Sequence, residues 1–370
     1  MKLKQPSYRD IISGRDHSLD GRATRMLLSV LTVPYGLAVS MRNAAYHRGV
    51  FPVRGVSAPV ISVGNLTAGG TGKTPTVAWL IDWLKERGFR PGIVSRGYRS
   101  SGSAGNDEKR LLDRLCPNVP HFQGRRRFET AERLLAETDT NIIVLDDGFQ
   151  HRALHRDLDL VLIDAVDPWG FDRLLPRGLL RERVNQLRRA DIVFLTRCDS
   201  VRESQISKAL KRIRRVTDAP VIRTAFEPSG LINCNGDRAA IEDVKQKQIA
   251  AFCGIGNPEG FFRTLNRVDC PVSRGAFRAF QDHQEYGASE LDDIYRMAER
   301  CEAEVLLTTA KDLVKIPLAK LGERPLWAVD VELVPLDSVE PLEAMIALLD
   351  RNQLNSPQYR PVREQESVEV

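Results

Sequence analysis

Gly64-Asn65-Leu66-Thr67-Ala68-Gly69-Gly70-Thr71-Gly72-Lys73-Thr74-Pro75 is the stretch on which the fold turns. The apolar run Val60-Ile61-Ser62-Val63 precedes it and reads as a buried strand. Val77-Ala78-Trp79-Leu80-Ile81-Asp82-Trp83-Leu84 follows, with the apolar spacing of a helix packed on a sheet. Strand, glycine-rich turn and helix together form the setting of a phosphate-binding loop. Glycines let backbone N–H groups curl around phosphate oxygens where a side chain would collide. The helix that follows offers free N–H groups and a positive dipole end to the same anion. Thr67, Ala68, Gly69, Gly70, Thr71, Gly72, Lys73 and Thr74 are therefore the expected nucleotide cradle. Lys73 would reach the β- and γ-phosphates, and the Thr74 hydroxyl would ligate Mg²⁺. A strict G-x-x-x-x-G-K-T loop asks for glycine at 67, where Thr67 stands.

Around this loop the chain is ordinary for a soluble globular protein, 42% hydrophobic and 28% charged. Its 370 residues predict two domains with ample core. Cys116, Cys198, Cys234, Cys253, Cys270 and Cys301 lie far apart with no C-x-x-C pair. That argues against a zinc knuckle or a disulfide framework and fits a reducing compartment. The net charge of +5 is modest but unevenly spread, with arginine-rich stretches at 125–127, 181–189 and 208–215. Such stretches are either solvated helix faces or surfaces for an anionic substrate or an acidic membrane.

Upstream, Met26 to Met41 carries no charge, with Arg22 and Arg25 ahead of it and Arg42 and Arg48 behind. It is short for a membrane span, and Pro34 and Gly36 interrupt it. An apolar stretch with flanking arginines suits a helical segment lying in the membrane interface, the alternative being a helix packed on the protein's own core. Downstream, apolar runs at 60–63, 92–95, 141–145, 158–163 and 191–195 alternate with helical patterns. They predict an α/β fold like that of the P-loop NTPases, a mostly parallel sheet with helices on both faces. Runs at 248–253, 303–307 and 326–331 predict a second, smaller α/β unit. The expected organisation is a membrane-associated segment over 1–57, a P-loop domain over 58–220, a second domain over 221–347 and a polar tail over 348–370.

The apolar run at 141–145 ends in Asp146-Asp147-Gly148-Phe149-Gln150-His151. A strand ending in aspartate is where a P-loop enzyme keeps its Mg²⁺-associated carboxylate, so Asp146 and Asp147 are metal candidates. Ser95-Arg96-Gly97-Tyr98 ends another strand and should lie on the same carboxyl edge. Asn106-Asp107-Glu108 taken alone reads as a helix N-cap with an acidic first turn. Asp282-His283 and Thr308-Thr309-Ala310-Lys311-Asp312 are weaker signals, and Thr196-Arg197-Cys198-Asp199 only faintly echoes a guanine-reading N-K-x-D.

Taken together, the loop at 64–75, Ser95-Arg96-Gly97-Tyr98, Asp146-Asp147-Gly148-Phe149-Gln150-His151 and Asp282-His283 resemble the tetraacyldisaccharide 4′-kinases of lipid A biosynthesis. So do Pro176-Arg177-Gly178-Leu179-Leu180-Arg181-Glu182 and Thr309-Ala310-Lys311-Asp312, and the similarity keeps its order from about residue 26 to about residue 345. Thr67 is itself a trait of that family. The resemblance implies an ATP- and Mg²⁺-dependent lipid kinase, peripheral on the cytoplasmic face of a bacterial inner membrane. Its acceptor would be an acylated glucosamine disaccharide 1-phosphate, phosphorylated on the 4′-hydroxyl. The family's general-base aspartate corresponds to Asp107, with Glu108 the alternative because Asn106 is inserted and Lys109 replaces a proline. A partner histidine corresponds to His283, an arginine near the γ-phosphate to Arg181, and substrate contacts to Arg96 and Arg127. A monomer with no nucleic-acid partner is expected.

Phosphoryl transfer depends on positioning and charge neutralisation more than on covalent help, which suits Lys73, Mg²⁺ and an arginine. A sugar hydroxyl is a weak acid, so a nearby carboxylate must accept its proton during attack. The competing class is a P-loop ATPase or GTPase switch or a metal-insertion chaperone. Ala68 stands where partitioning ATPases carry their signature lysine, and the Cys/His clusters of metal chaperones are missing from the sequence.

Overall fold

The computed structural model describes residues 8–97, 107–282 and 284–355. In chain order, α1 (Tyr8–Ser13) and α2 (Leu19–His47) lead into β1 (Val60–Asn65), α3 (Lys73–Glu86), β2 (Pro91–Ser95), α4 (Asp107–Leu115), β3 (His121–Gln123) and α5 (Arg127–Glu137). Next come β4 (Ile142–Asp146), β5 (Leu158–Asp164), β6 (Ile192–Thr196), α6 (Glu203–Ile213), β7 (Val221–Ile232) and β8 (Arg238–Ala239). The chain continues through β9 (Ile249–Cys253), α7 (Pro258–Arg267), β10 (Phe277–Ala279), α8 (Ala288–Arg300) and β11 (Val305–Thr309). It closes with α9 (Ala310–Leu313), β12 (Lys320–Leu321), β13 (Arg324–Pro335) and α10 (Glu340–Asn355).

One sheet runs through the molecule in the order β10-β9-β11-β13-β7-β6-β5-β1-β4-β2-β3. The pairings are parallel except where β13 meets β7 and β12, and where β7 meets β8. Strand β1 lies between β4 and β5, so the chain switches direction across the sheet at the strand that feeds the loop, the position where open α/β sheets bind ligands. The α/β class expected from the sequence is observed.

Why these strands read as unbroken apolar runs is plain from their burial. Ile61, Val63, Ile142 and Val144 point into the core around α3, whereas Val60, Ile143 and Leu145 pack with α5 on the opposite face. Val161, Ile163, Val193 and Leu195 meet α6 in a third cluster. Side chains on both faces of a strand covered on both sides are mostly apolar, and each fully buried leucine or isoleucine contributes about 1.5–3 kcal/mol. A further core joins β9, β11 and β13 with α7 and α8. Strand β13 and helix α10 then return Leu333, Leu342 and Ile346 to the cluster around α3.

Helix α2 is longer than the apolar segment predicts. It runs unbroken for 29 residues with Pro34 inside, capped by Ser18, whose Oγ accepts from the Gly21 amide. Its most apolar window is only 6% buried, so packing on the protein's own core does not account for it. By length and composition alone the helix could cross a membrane.

Candidate active site

The phosphate loop is held from three sides. Asn65, at the end of β1, donates through Nδ2 to Thr67 O at 2.7 Å and Thr71 Oγ1 at 2.8 Å, which fixes the curl of the backbone. Thr67 forms an isolated antiparallel bridge with Leu180, and the Ala68 amide donates to Leu179 O at 2.6 Å. Position 67 is thus extended backbone, which a β-branched residue suits better than glycine. Gly72 caps α3 at φ 89°, and a Cβ there would meet the Phe226 ring at 2.1 Å. Only glycine satisfies both demands.

On the third side, Thr196 Oγ1 donates to Thr71 O at 3.1 Å, and Arg197 donates to Gly70 O at 2.7 Å while pairing with buried Asp164. The Thr196-Arg197-Cys198-Asp199 segment is therefore a buttress for the loop. Sequence inspection missed this, since it tests only for a base-reading pattern.

The acidic pair closes on the loop from β4. Gly64 allows that approach, because a Cβ on it would come within 2.7 Å of the Phe149 amide nitrogen. Arg181 Nη1 contacts both oxygens of Asp147 at 2.8 Å, and Lys73 Nζ lies 3.5 Å from the same carboxylate. Burial pushes the Asp147 carboxyl up, but Lys73 and Arg181 outweigh it and hold it below its ordinary value. Asp146 responds in the opposite sense. Burial raises it to about 7, Lys73 opposes the rise and Asp147 adds to it, with Glu108 raising and Arg127 lowering it further. Glu108 and Arg127 are thereby in electrostatic reach of the strand end.

Arg181 reaches the loop because residues 170–181 fold back on themselves. Leu179 N donates to Gly170 O, Leu180 N to Arg173 O, and Arg181 N to Leu66 O at 2.7 Å. Gln150 ties the two sides, donating to Asn65 O at 2.9 Å and accepting from Arg181 at 3.3 Å. Asn65 and Gln150 lay inside quoted motifs, yet no pattern marked them as structural keystones.

Asp107 and Glu108 open α4, and Asp107 is buried at 2% exposure. Its carboxylate lies 3.7 Å from the ammonium of Lys315, a residue the sequence did not single out. Arg96 is exposed at the end of β2, and Arg127 is buried at the start of α5, donating to Gly124 O at 3.0 Å. Both guanidiniums, with Arg156 and Arg42, add to the burial that depresses His151 to about 4, so it stays neutral. Asp282 pairs with Lys311 at 2.9 Å, and His283 lies outside the described residues.

Magnesium can be tested against these groups. A buried carboxyl raised to about 7 beside a second carboxylate gains most from a cation. Among the described residues no three His, Cys, Asp or Glu side chains are grouped to hold a metal unaided. A carboxylate pair with one hydroxyl, completed by phosphate oxygens, is a donor set that fits Mg²⁺.

A family model for tetraacyldisaccharide-1-P 4′-kinase matches residues 24–350. The chain belongs to that family. It is 38% identical over 323 residues to a tetraacyldisaccharide 4′-kinase of Syntrophus aciditrophicus, covering 80% of this chain and 86% of that protein. It is 36% identical over 359 residues to one of Geobacter sulfurreducens, covering 92% and 97%. The crystal structure of LpxK from Aquifex aeolicus in complex with ATP is similar at a TM-score of 0.71 and 28% identity, covering 88% of this chain and 99% of that one. Family membership thus accords with the expectation drawn from the motifs, and the switch or chaperone alternative is not favoured.

Proposed function

We infer that this protein is a tetraacyldisaccharide 4′-kinase, an ATP-dependent enzyme of lipid A biosynthesis. It transfers the γ-phosphate of ATP to the 4′-hydroxyl of a tetraacylated glucosamine disaccharide 1-phosphate and so yields lipid IVA. The observation that carries the chemistry is the convergence of Lys73 and Arg181 on Asp147, against a loop built from residues 64–75. Two cations meet where a P-loop enzyme develops charge on the transferring group.

In this scheme the triphosphate lies along Gly69 to Thr74. Ala68, its amide committed to Leu179, shapes the loop with Thr67 rather than donating to phosphate. Asp146, Asp147 and Thr74 would hold Mg²⁺, which when bound supplies charge neutralisation at the phosphates. Asp146 is the stronger candidate of the two acids, because Asp147 is already shared by Lys73 and Arg181. Arg181, which pairs with Asp147 at 2.8 Å, would supply positive charge to the transferring phosphoryl group. Asp107 accepts the hydroxyl proton, with Glu108 as the alternative and His283 as its assigned partner. Arg96 and Arg127 address the anionic sugar substrate.

We also place the enzyme peripherally on the cytoplasmic face of the inner membrane. Thr32, Tyr35, Gly36, Arg42 and Asn43 of α2 all touch residues 174–182 of the kinase body. A helix tethered along that length cannot also span a bilayer, whereas exposed Met26, Leu27, Val30, Val33, Leu37 and Met41 can enter its surface. The division into a P-loop unit over 58–220 and a second unit over 221–347, and a monomeric state, are proposed with it. ADP release measured with and without the disaccharide acceptor in mixed micelles tests the assignment. Strict acceptor dependence is expected, and equal turnover without acceptor would indicate a switch-type ATPase.

A further inference from the structure

Asp107 does not sit in the first unit alone. Its side chain is 3% exposed, and the ammonium 3.7 Å away belongs to Lys315, 5% exposed, which follows α9 in the second unit. Lys315 Nζ also donates to Gln284 O at 2.9 Å and lies 4.0 Å from Asp312, whose side chain is fully buried. Asp312 is anchored independently, since its Oδ2 accepts from the Gly254 amide at 2.9 Å and from Thr309 Oγ1 at 2.7 Å. One buried ammonium therefore stands between two carboxylates from different units, beside the segment that carries Asp282.

A buried ammonium is costly unless opposed by negative charge, and each carboxylate gains the same way. The distance to Asp107 matters as much as the sign. At 3.7 Å the contact is an ion pair but longer than a hydrogen bond, so Lys315 favours the ionised form without occupying an oxygen lone pair. A carboxylate that must accept a proton needs that combination. Glu108 is a like charge on the same turn of α4, and Lys311 is paired with Asp282. Tyr286 and Cys253, which face Asp312, are both pushed up by burial and then by that carboxylate, and stay neutral.

We propose that Lys315 is a positioning residue for phosphoryl transfer, fixing Asp107 as a carboxylate and locking the start of α4 against the second unit. The proposal rests on Asp107 being the general base. It is tested on the full-length enzyme with the pH profile of kcat and the KM for ATP in Lys315→Met, Lys315→Arg, Asp312→Asn and Asp107→Asn. Lys315→Met should lower kcat at pH 7 by about 10-fold or more, move the acidic limb of the profile to higher pH and leave the KM for ATP within about twofold. Lys315→Arg should bring the limb back. Asp312→Asn, leaving Lys315 to Asp107 alone, should move it to lower pH, and this variant serves if Lys315→Met does not fold. An unmoved acidic limb in both Lys315→Met and Asp312→Asn overturns the proposal, as does a pH-independent loss that tracks thermal stability. Retained activity in Asp107→Asn would instead remove the base assignment itself.

Discussion

Lys73, Asp147 and Arg181 form a contact triad in which one carboxylate holds two cations. Lys73→Ala removes the cation nearest the loop, and a loss of about 10³-fold or more in lipid phosphorylation is expected with near-normal thermal unfolding. Persistent turnover would remove Lys73 from the chemistry. Asp107→Ala should lower kcat by about 10²–10⁴-fold with little change in ATP affinity, whereas Glu108→Ala should cost less. The reverse ranking would move the base by one residue. His151 gives a pH signature that is independent of catalysis. Its folded value of about 4 lies below the ordinary 6.5, so the unfolded chain takes up the proton first. Stability is undiminished above about pH 6.5 and declines as pH falls from there toward about 4. Urea unfolding at pH 7.5 and pH 5 should show that decline, and His151→Gln should flatten it; an equal slope in the variant would assign the effect elsewhere.

Helix α2 is joined to the kinase body by a polar lock. Glu182, fully buried, accepts from Arg42 at 2.8 Å and Asn43 at 2.9 Å and pairs with Arg189. Its neighbour Arg181 accepts a hydrogen bond from Tyr35 at its carbonyl, so helix α2 and the arginine that pairs with Asp147 share one short segment. Glu182→Ala leaves Arg189 half-buried without its counter-charge, and a cost of about 3 kcal/mol is expected in chemical denaturation. Deleting residues 1–45 should weaken partitioning onto anionic liposomes. Unchanged partitioning would show that α2 is not the membrane contact.

At the scale of the molecule, what could be read from the chain followed from periodicity and local chemistry. The strands at 60–65, 142–146, 158–164 and 192–196 were legible because two covered faces demand unbroken apolar runs. The strand-loop-helix setting of residues 60–86 was legible because a phosphate-binding loop requires fixed residue types at fixed spacing, and the end of β4 at Asp146 because its apolar run stops there. Lys315 and the Arg197–Asp164 buttress were not, since the contacts they make are distant in sequence and no local pattern encodes them. Asn65 bonds Thr67 and Thr71 close by in the chain, yet the loop pattern does not single out its side chain. Pro34 misled in another way. It marks an interruption in a sequence pattern, yet α2 continues through it for its full length. The continuous sheet through β7 and β13 likewise depends on long-range pairing that the runs alone could not specify. The central claim is transfer of the γ-phosphate to a lipid. The most direct test is to incubate the purified enzyme with γ-radiolabelled ATP and tetraacyldisaccharide 1-phosphate and to resolve the lipid products. Label in the lipid, lost in Lys73→Ala, is the predicted result; label released only as inorganic phosphate would contradict it.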